Sequence, residues 1–174
     1  PADPENSFLS QVCSAWERRA LEAQAAGTRV VLSRTGLVLA PGGGALARML
    51  PPFRKGLGGR LGSGHQWMPW IHIDDVVGLW LHALKTPQIQ GPMNASAPHP
   101  VTNRGFTKTL GRVLGRPAFL PAPKLGLRLA FGELSTVLLA SQRALPVVAG
   151  KTGYTFQFPD LEPALEDCVH SQDL

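Results

Sequence analysis

The run TRVVLSR at 28–34 constrains the fold more than any other stretch of this chain. A β-branched apolar run with no polar alternation until Ser33 is how a strand covered on both faces is written, and such strands belong to parallel sheets between helices. A helix is expected directly before it, over 4–26. Asp3 can cap this helix, Pro4 suits its first turn, Phe8, Val12, Trp16 and Ala20 recur every fourth residue beside Leu9 and Cys13, and Gly27 ends it. Helix then covered strand is an α/β order, in which 29–34 would be an interior rung of a larger sheet.

The alternation repeats downstream. Gly and Pro punctuate 40–64, with a short apolar helix around Leu46–Leu50 and then a long loop; 41–66 is expected to face a substrate. The strand-like WMPWIHI at 67–73 feeds a helix over 75–85 that stops before Pro87, with Asp74 or Asp75 as its cap. A short strand is expected near Met93–Ala95, then a helix from Thr102 or Asn103 to Leu114 ended by Gly115. Helices follow over 123–132 and 134–145. GYTFQF at 153–158 alternates like an edge strand, and Asp160 starts a last helix through Val169. Two units are expected: 1–101, α/β, and 102–174, small and mostly helical.

Composition removes several function classes. With 174 residues, 44% hydrophobic and 17% charged, the chain is ordinary globular protein, and no run approaches the ~18 apolar residues that span a bilayer. The net charge of +5 comes from seventeen Lys and Arg that never form a run of three, so no membrane and no nucleic acid is expected as a partner. The charge suits an anionic small ligand. Cys13 and Cys168 lack CxxC spacing, so no metal site and a reducing, cytoplasmic setting are expected. The chain opens on Pro1 without a leader, which reads as a truncation point.

The chemistry-bearing residues cluster in GSGHQWMPWIHIDDVVGLWLHAL, 62–84. His72 and Asp74 would face one side of an extended strand and could form an imidazole–carboxylate pair, fit for acid/base work or for anchoring a polar substrate; two ligands alone do not make a metal site. A buried strand entering a capped helix is the structural alternative. Arg34, with Thr35 and Gly36, falls at the carboxyl end of a parallel strand, where open α/β sheets bind ligands, or could bond a neighbouring carboxylate. Tyr154 is the single tyrosine and has no lysine four positions on. No GxGxxG opens a helix after a strand, and GLGGRLGSG at 56–64 reads as a flexible loop rather than a phosphate cradle. No GxSxG elbow is present.

Taken in order, RVVLSRTGLVLAPGGGALARMLPPFRKGLGGRLGSGHQWMPWIHIDDVV, GPMNASAPHPVTN, GRVLGRPAFLPAP, LLASQRALP and GYTFQFPDLEPAL resemble the C-terminal half of an atypical extended short-chain dehydrogenase/reductase, of the nucleoside-diphosphate-sugar epimerase-like family with its own small C-terminal domain. The resemblance implies a Rossmann-type fold binding NADP or NAD, with the phosphate loop in an N-terminal half outside this chain. It implies that backbone at Gly36, Leu37 and Val38 approaches the nicotinamide end, and that His65, Gln66, Trp67, Trp70 and His72 line the substrate side, where its strand-end position also puts Arg34. Aligning Glu17 with the glutamate after the family's Tyr-x-x-x-Lys puts Leu9 and Cys13 in the dyad's places, so ordinary reductase chemistry does not transfer.

The expected function is that of an NAD(P)-binding, epimerase-like oxidoreductase acting on a small-molecule substrate of unknown identity, with His72 and Asp74 as acid/base candidates. The rival is a non-catalytic dinucleotide-binding module read by a protein partner. An uncovered edge at 28–34 would call for the missing half or a second copy in a homo-oligomer.

Overall fold

The computed structural model describes residues 8–122 and 139–171. Helix α1 (Phe8–Leu21) runs into a 3-10 turn, Glu22–Ala26, closed by Gly27 at φ 75°. That left-handed cap is where glycine is free and other residues are strained. Asp3 and Pro4 lie outside the described residues. Strand β1 (Val31–Thr35) pairs in parallel with β5 (Gly91–Ala95). After Gly36 the chain continues as β2 (Leu37–Leu39), parallel to β4 (Trp70–His72). A short β3 (Trp67–Met68) pairs antiparallel with β6 (Val101–Thr102), so the expected strand 67–73 is broken at Pro69.

Gly36 permits the step between the two ladders. A Cβ there would lie 2.8 Å from the Pro69 carbonyl oxygen, while the Gly36 N–H donates to the Ala95 carbonyl and the Leu37 N–H to the Pro69 carbonyl. Two adjacent residues, Trp70 and Ile71, then point to opposite faces, as strand geometry demands. Trp70 enters a core built with Leu39, helix α2 (Gly44–Arg54), helix α4 (Asn103–Val113) and the last helix, α6 (Leu161–His170). Ile71 enters a second core with helix α3 (Ile73–Lys85), Met93, Ala95 and Ala149 of the short helix α5 (Val147–Lys151). Arg29 holds the end of α3 by donating to the carbonyls of Ala83 and Leu84, acceptors that a helix end leaves free, and to that of Ile89 in the connection that follows.

Several expectations change. β1 is not covered on both faces: Val31 and Leu32 are half-buried, and Ser33, Arg34 and Thr35 are exposed, because α1 buries none of its residues. The expected helix 134–145 is helical at 139 and not over 140–145, where the Gln142 N–H turns to the Trp67 carbonyl; 134–138 and the expected helix 123–132 lie outside the described residues. GYTFQF keeps its alternation but joins no ladder: the Tyr154 N–H donates to the Ala149 carbonyl, and those of Gln157 and Phe158 go to a side chain described below.

The glycines of the 56–64 loop are packing devices. A Cβ on Gly58 would strike the Phe53 ring at 2.5 Å and one on Gly59 the Leu120 carbonyl oxygen at 1.3 Å, while the Leu120 N–H donates to Gly58 and the Ala122 N–H to Arg60. The expectation of a flexible loop is corrected: the loop is stitched to 120–122. Among the described residues no helix is long and apolar enough to cross a membrane.

Candidate functional site

Helix α3 begins two residues earlier than expected, at Ile73, so His72 and not an aspartate is its cap. The His72 Nδ1 accepts from the Asp74 N–H at 3.3 Å. This changes the geometry of the His72–Asp74 pair. Two-residue alternation ends where the helix starts, and the Asp74 carboxylate lies 3.7 Å from Nδ1 on the exposed side. The carboxylate facing the other ring nitrogen comes from α6: Nε2 is 3.2 Å from Asp167 Oδ2. Because Nδ1 accepts, the hydrogen-bond pattern assigns the proton to Nε2, which donates to Asp167. The ring is 1% exposed and lies 3.9 Å from the Phe158 ring, centroid to centroid.

Cys168, next along α6, completes a group in which the His72, Asp167 and Cys168 ligand atoms lie within 4.8 Å of one another. Composition and spacing had pointed away from any metal site, and three-residue clusters of this kind are where one would be sought. Within this group the Nε2 proton goes to Asp167, and burial, with the Asp167 and Asp74 carboxylates behind it, pushes the Cys168 thiol up to about 12.

The neighbouring Asp75 is fully buried and gathers three donors: the Tyr154 hydroxyl at 3.0 Å and the N–H groups of Gln157 and Phe158 at 2.9 Å each. Burial, and then its bond to Asp75, raise the Tyr154 pKa well above the ordinary phenol value. Gly78, one turn along α3, leaves room for this hydroxyl; a Cβ there would lie 2.2 Å from it. The HIDD run therefore sends His72 to α6 and Asp75 to 154–158. It clasps the C-terminal segment to the sheet.

The remaining expected site residues divide. Trp70 is core, its indole N–H 3.3 Å from the His99 carbonyl, and Gln66 is buried with its amide donating to the Leu61 carbonyl at 3.0 Å. Arg34 meets Glu17 with two bonds of 2.7 Å, which hold the Glu17 carboxyl below its ordinary range. His65 is exposed and Trp67 half-buried. Leu37 and Val38 are half-buried and apolar, each against a core cluster. The structure thus brings His72, Asp74 and Trp70 together around one helix start, and pairs Arg34 with Glu17 of α1 instead. Sequence reasoning missed Asp167, Tyr154 and Arg143. The first two reach partners 95 and 79 positions away, a separation no local pattern reveals.

Arg143 sits with its guanidinium carbon 5.0 Å from the Trp67 ring centroid. A separate cavity of about 180 Å³ is lined by Arg34, Pro92, Asn94, Leu145, Val147 and Val148.

Comparison with known proteins places this geometry. Residues 4–95 match the model of the NAD dependent epimerase/dehydratase family, and residues 122–168 match a domain of unknown function, DUF1731. An epimerase family protein of Staphylococcus saprophyticus, SSP1921, is 47% identical over 94% of this chain and 55% of its own length. The epimerase family protein SDR39U1 of Mus musculus is 45% identical over 93% and 55%. The crystal structure of human SDR39U1 (isoform 2) with NADPH superposes with a TM-score of 0.85 at 41% identity, covering 94% of this chain and 56% of that one. The chain spans about half the length of the curated relatives it matches. The α/β, Rossmann-like architecture expected from the sequence is the architecture found. The chain belongs to the NAD dependent epimerase/dehydratase family.

Proposed function

We propose that the natural full-length protein binds NADP(H) and transfers a hydride to or from a small-molecule substrate at the carboxyl end of the β1–β5 ladder. The observation that carries this reading is the superposition on a relative crystallised with NADPH, over nearly all of this chain. The residues at β1's end fit the nicotinamide end of such a cofactor in one specific way. The N–H groups of Gly36 and Leu37 already donate to Ala95 and Pro69, so this turn offers apolar contact through Leu37 and Val38 rather than free donors. The cofactor, when bound, supplies the hydride. The chain's own residues shape the wall and exclude water.

His72 enters this reading as a positioning residue. Its ring is buried, its Nε2 proton is committed to Asp167, and it fixes where β4 ends and α3 begins; Asp74, exposed beside it, is the group that can meet a substrate. Absence of the Tyr–Lys pair, with Leu9 and Cys13 at that spacing on α1, favours the second reading, a dinucleotide-holding module without turnover.

Two measurements separate these. Calorimetric titration of the full-length protein with NADPH is expected to give a sub-millimolar dissociation constant, and no heat with no thermal shift overturns both readings. Sustained loss of NADPH absorbance with a panel of carbonyl compounds selects the enzyme; binding without consumption selects the module.

A further inference from the structure

We propose that Asp167, on the last helix, is a positioning residue of the substrate site: by accepting from His72 Nε2 it keeps the Nδ1 lone pair on the start of α3 and leaves the Asp74 carboxylate free for substrate. The inference rests on the proposed function, in which Asp74 is the group that meets substrate. It gives the C-terminal segment a part in that site.

The two tautomers of His72 arrange the helix start in opposite ways. With the proton on Nε2, Nδ1 accepts from the Asp74 N–H at 3.3 Å; the Asp74 carboxylate, 3.7 Å from that nitrogen, meets a lone pair and finds no donor there. Its side chain stays 57% exposed. With the proton on Nδ1, the cap N–H loses its acceptor, while the carboxylate gains a donor and is drawn onto the ring. The imidazole is buried, so bulk water does not choose between the two forms. An ionised carboxylate facing Nε2 does, because it accepts and cannot donate. Asp167 Oδ2 stands there at 3.2 Å.

Packing that does not depend on His72 brings Asp167 to this point. Leu161, Ala164, Leu165, Cys168 and Val169 of α6 are buried in the core that also takes Trp70. The Phe158 ring lies 3.9 Å from the imidazole, and its N–H is bound by Asp75, so a second stretch of the C-terminal segment restrains the same ring.

The two aspartates of the HIDD run thereby take different parts. Asp75 is fully buried and occupied by three donors, and Asp74 is left open. His72 and Asp74 lie in the stretch matched to the epimerase/dehydratase family, whereas Asp167 lies in the stretch matched to the domain of unknown function. The helix start is incomplete without that segment.

The test uses full-length protein at about pH 8, above the range in which imidazole ordinarily titrates. NMR reads the two ring-nitrogen shifts of His72, the Asp74 amide and the Asp74 carboxyl carbon in wild type, Asp167→Ala and Asp167→Glu. Wild type is expected to carry the proton on Nε2. In Asp167→Ala the ratio of the Nδ1–H to the Nε2–H form is expected to rise at least about tenfold, and both Asp74 signals to move with it. Asp167→Glu, which keeps an acceptor that cannot donate, is expected to restore the wild-type pattern, a rescue that loosening of α6 alone would not produce. Nδ1–H in wild type, an Asp167→Ala ratio equal to wild type, or Asp74 signals that ignore the tautomer each overturn the proposal. Should Asp167→Ala fail to fold, Asp167→Asn takes its place: its amide can donate to Nε2, so the Nδ1–H form is expected to rise, and an unchanged ratio overturns the proposal. Failure of wild-type NADPH binding sinks the proposed function and this inference with it, whereas intact NADPH binding with an unmoved tautomer sinks this inference alone.

Discussion

Asp75 shows how much one side chain can organise. Three donors converge on a carboxylate with no access to water, and the acceptor geometry of two oxygens is what makes 154–158 an ordered strap without any strand pairing. Asp75→Asn replaces one oxygen with a donor facing another donor, so a loss of about 2–4 kcal/mol is expected, against about 1 kcal/mol for Tyr154→Phe, which removes one bond of the three. Urea unfolding midpoints of both variants check this, and equal losses would show that the phenol carries the clasp. Cys168 offers a second measurement. Its folded pKa lies above the free-thiol value of 9.0, so its contribution is complete below pH 9.0 and is lost as pH rises toward about 12. In native protein one thiol, exposed Cys13, is expected to react with Ellman's reagent, and both only after unfolding; rapid reaction of both would mean that α6 lifts from the core.

At the scale of elements, α6 and α1 are opposites. Leu161, Ala164, Leu165, Cys168 and Val169 follow helical spacing and all are buried, so α6 is held by its apolar stripe as well as by Asp167. Helix α1 has the same kind of stripe in its sequence and buries none of it; the Glu17–Arg34 pair ties it to the sheet. A carboxyl held below its ordinary value stabilises above pH 4.5 and loses that effect as pH falls through the lowered value. The pair is solvent-screened, so Glu17→Gln is expected to cost at most about 1 kcal/mol at neutral pH and to flatten the melting-temperature profile below pH 4.5, with added salt shrinking the difference. A profile identical to wild type would show that α1 is not held by this pair. The same contrast explains what could be read in advance. The helices at 8–21, 73–85, 103–113 and 161–170 were legible because periodicity and capping residues act within one turn of the chain. The segment 140–146 was not, since its bonds run to Trp67, Asn94 and Ser96.

On the scale of the whole molecule, two cores lie on the two sides of β4, and one face remains uncovered. Val77, Trp80, Leu81 and Leu84 project from α3 with 47–72% of their surface in water, and β1 has a ladder partner on one side only among the described residues. This chain alone is therefore expected to self-associate with rising concentration in sedimentation velocity, and Trp80→Lys with Leu84→Lys to shift it toward monomer; a concentration-independent monomer would show that the face tolerates water. Sequence alone determined the α/β order, the presence of the main helices and the family, because each depends on neighbours a few residues apart or on whole motifs. Only the tertiary structure decided that His72 answers Asp167 rather than the Asp74 carboxylate, that Asp75 holds the 154–158 strap, and that Arg143 lies on Trp67. Those pairings join residues tens of positions apart, and nothing in a local pattern encodes which distant carboxylate or ring will arrive.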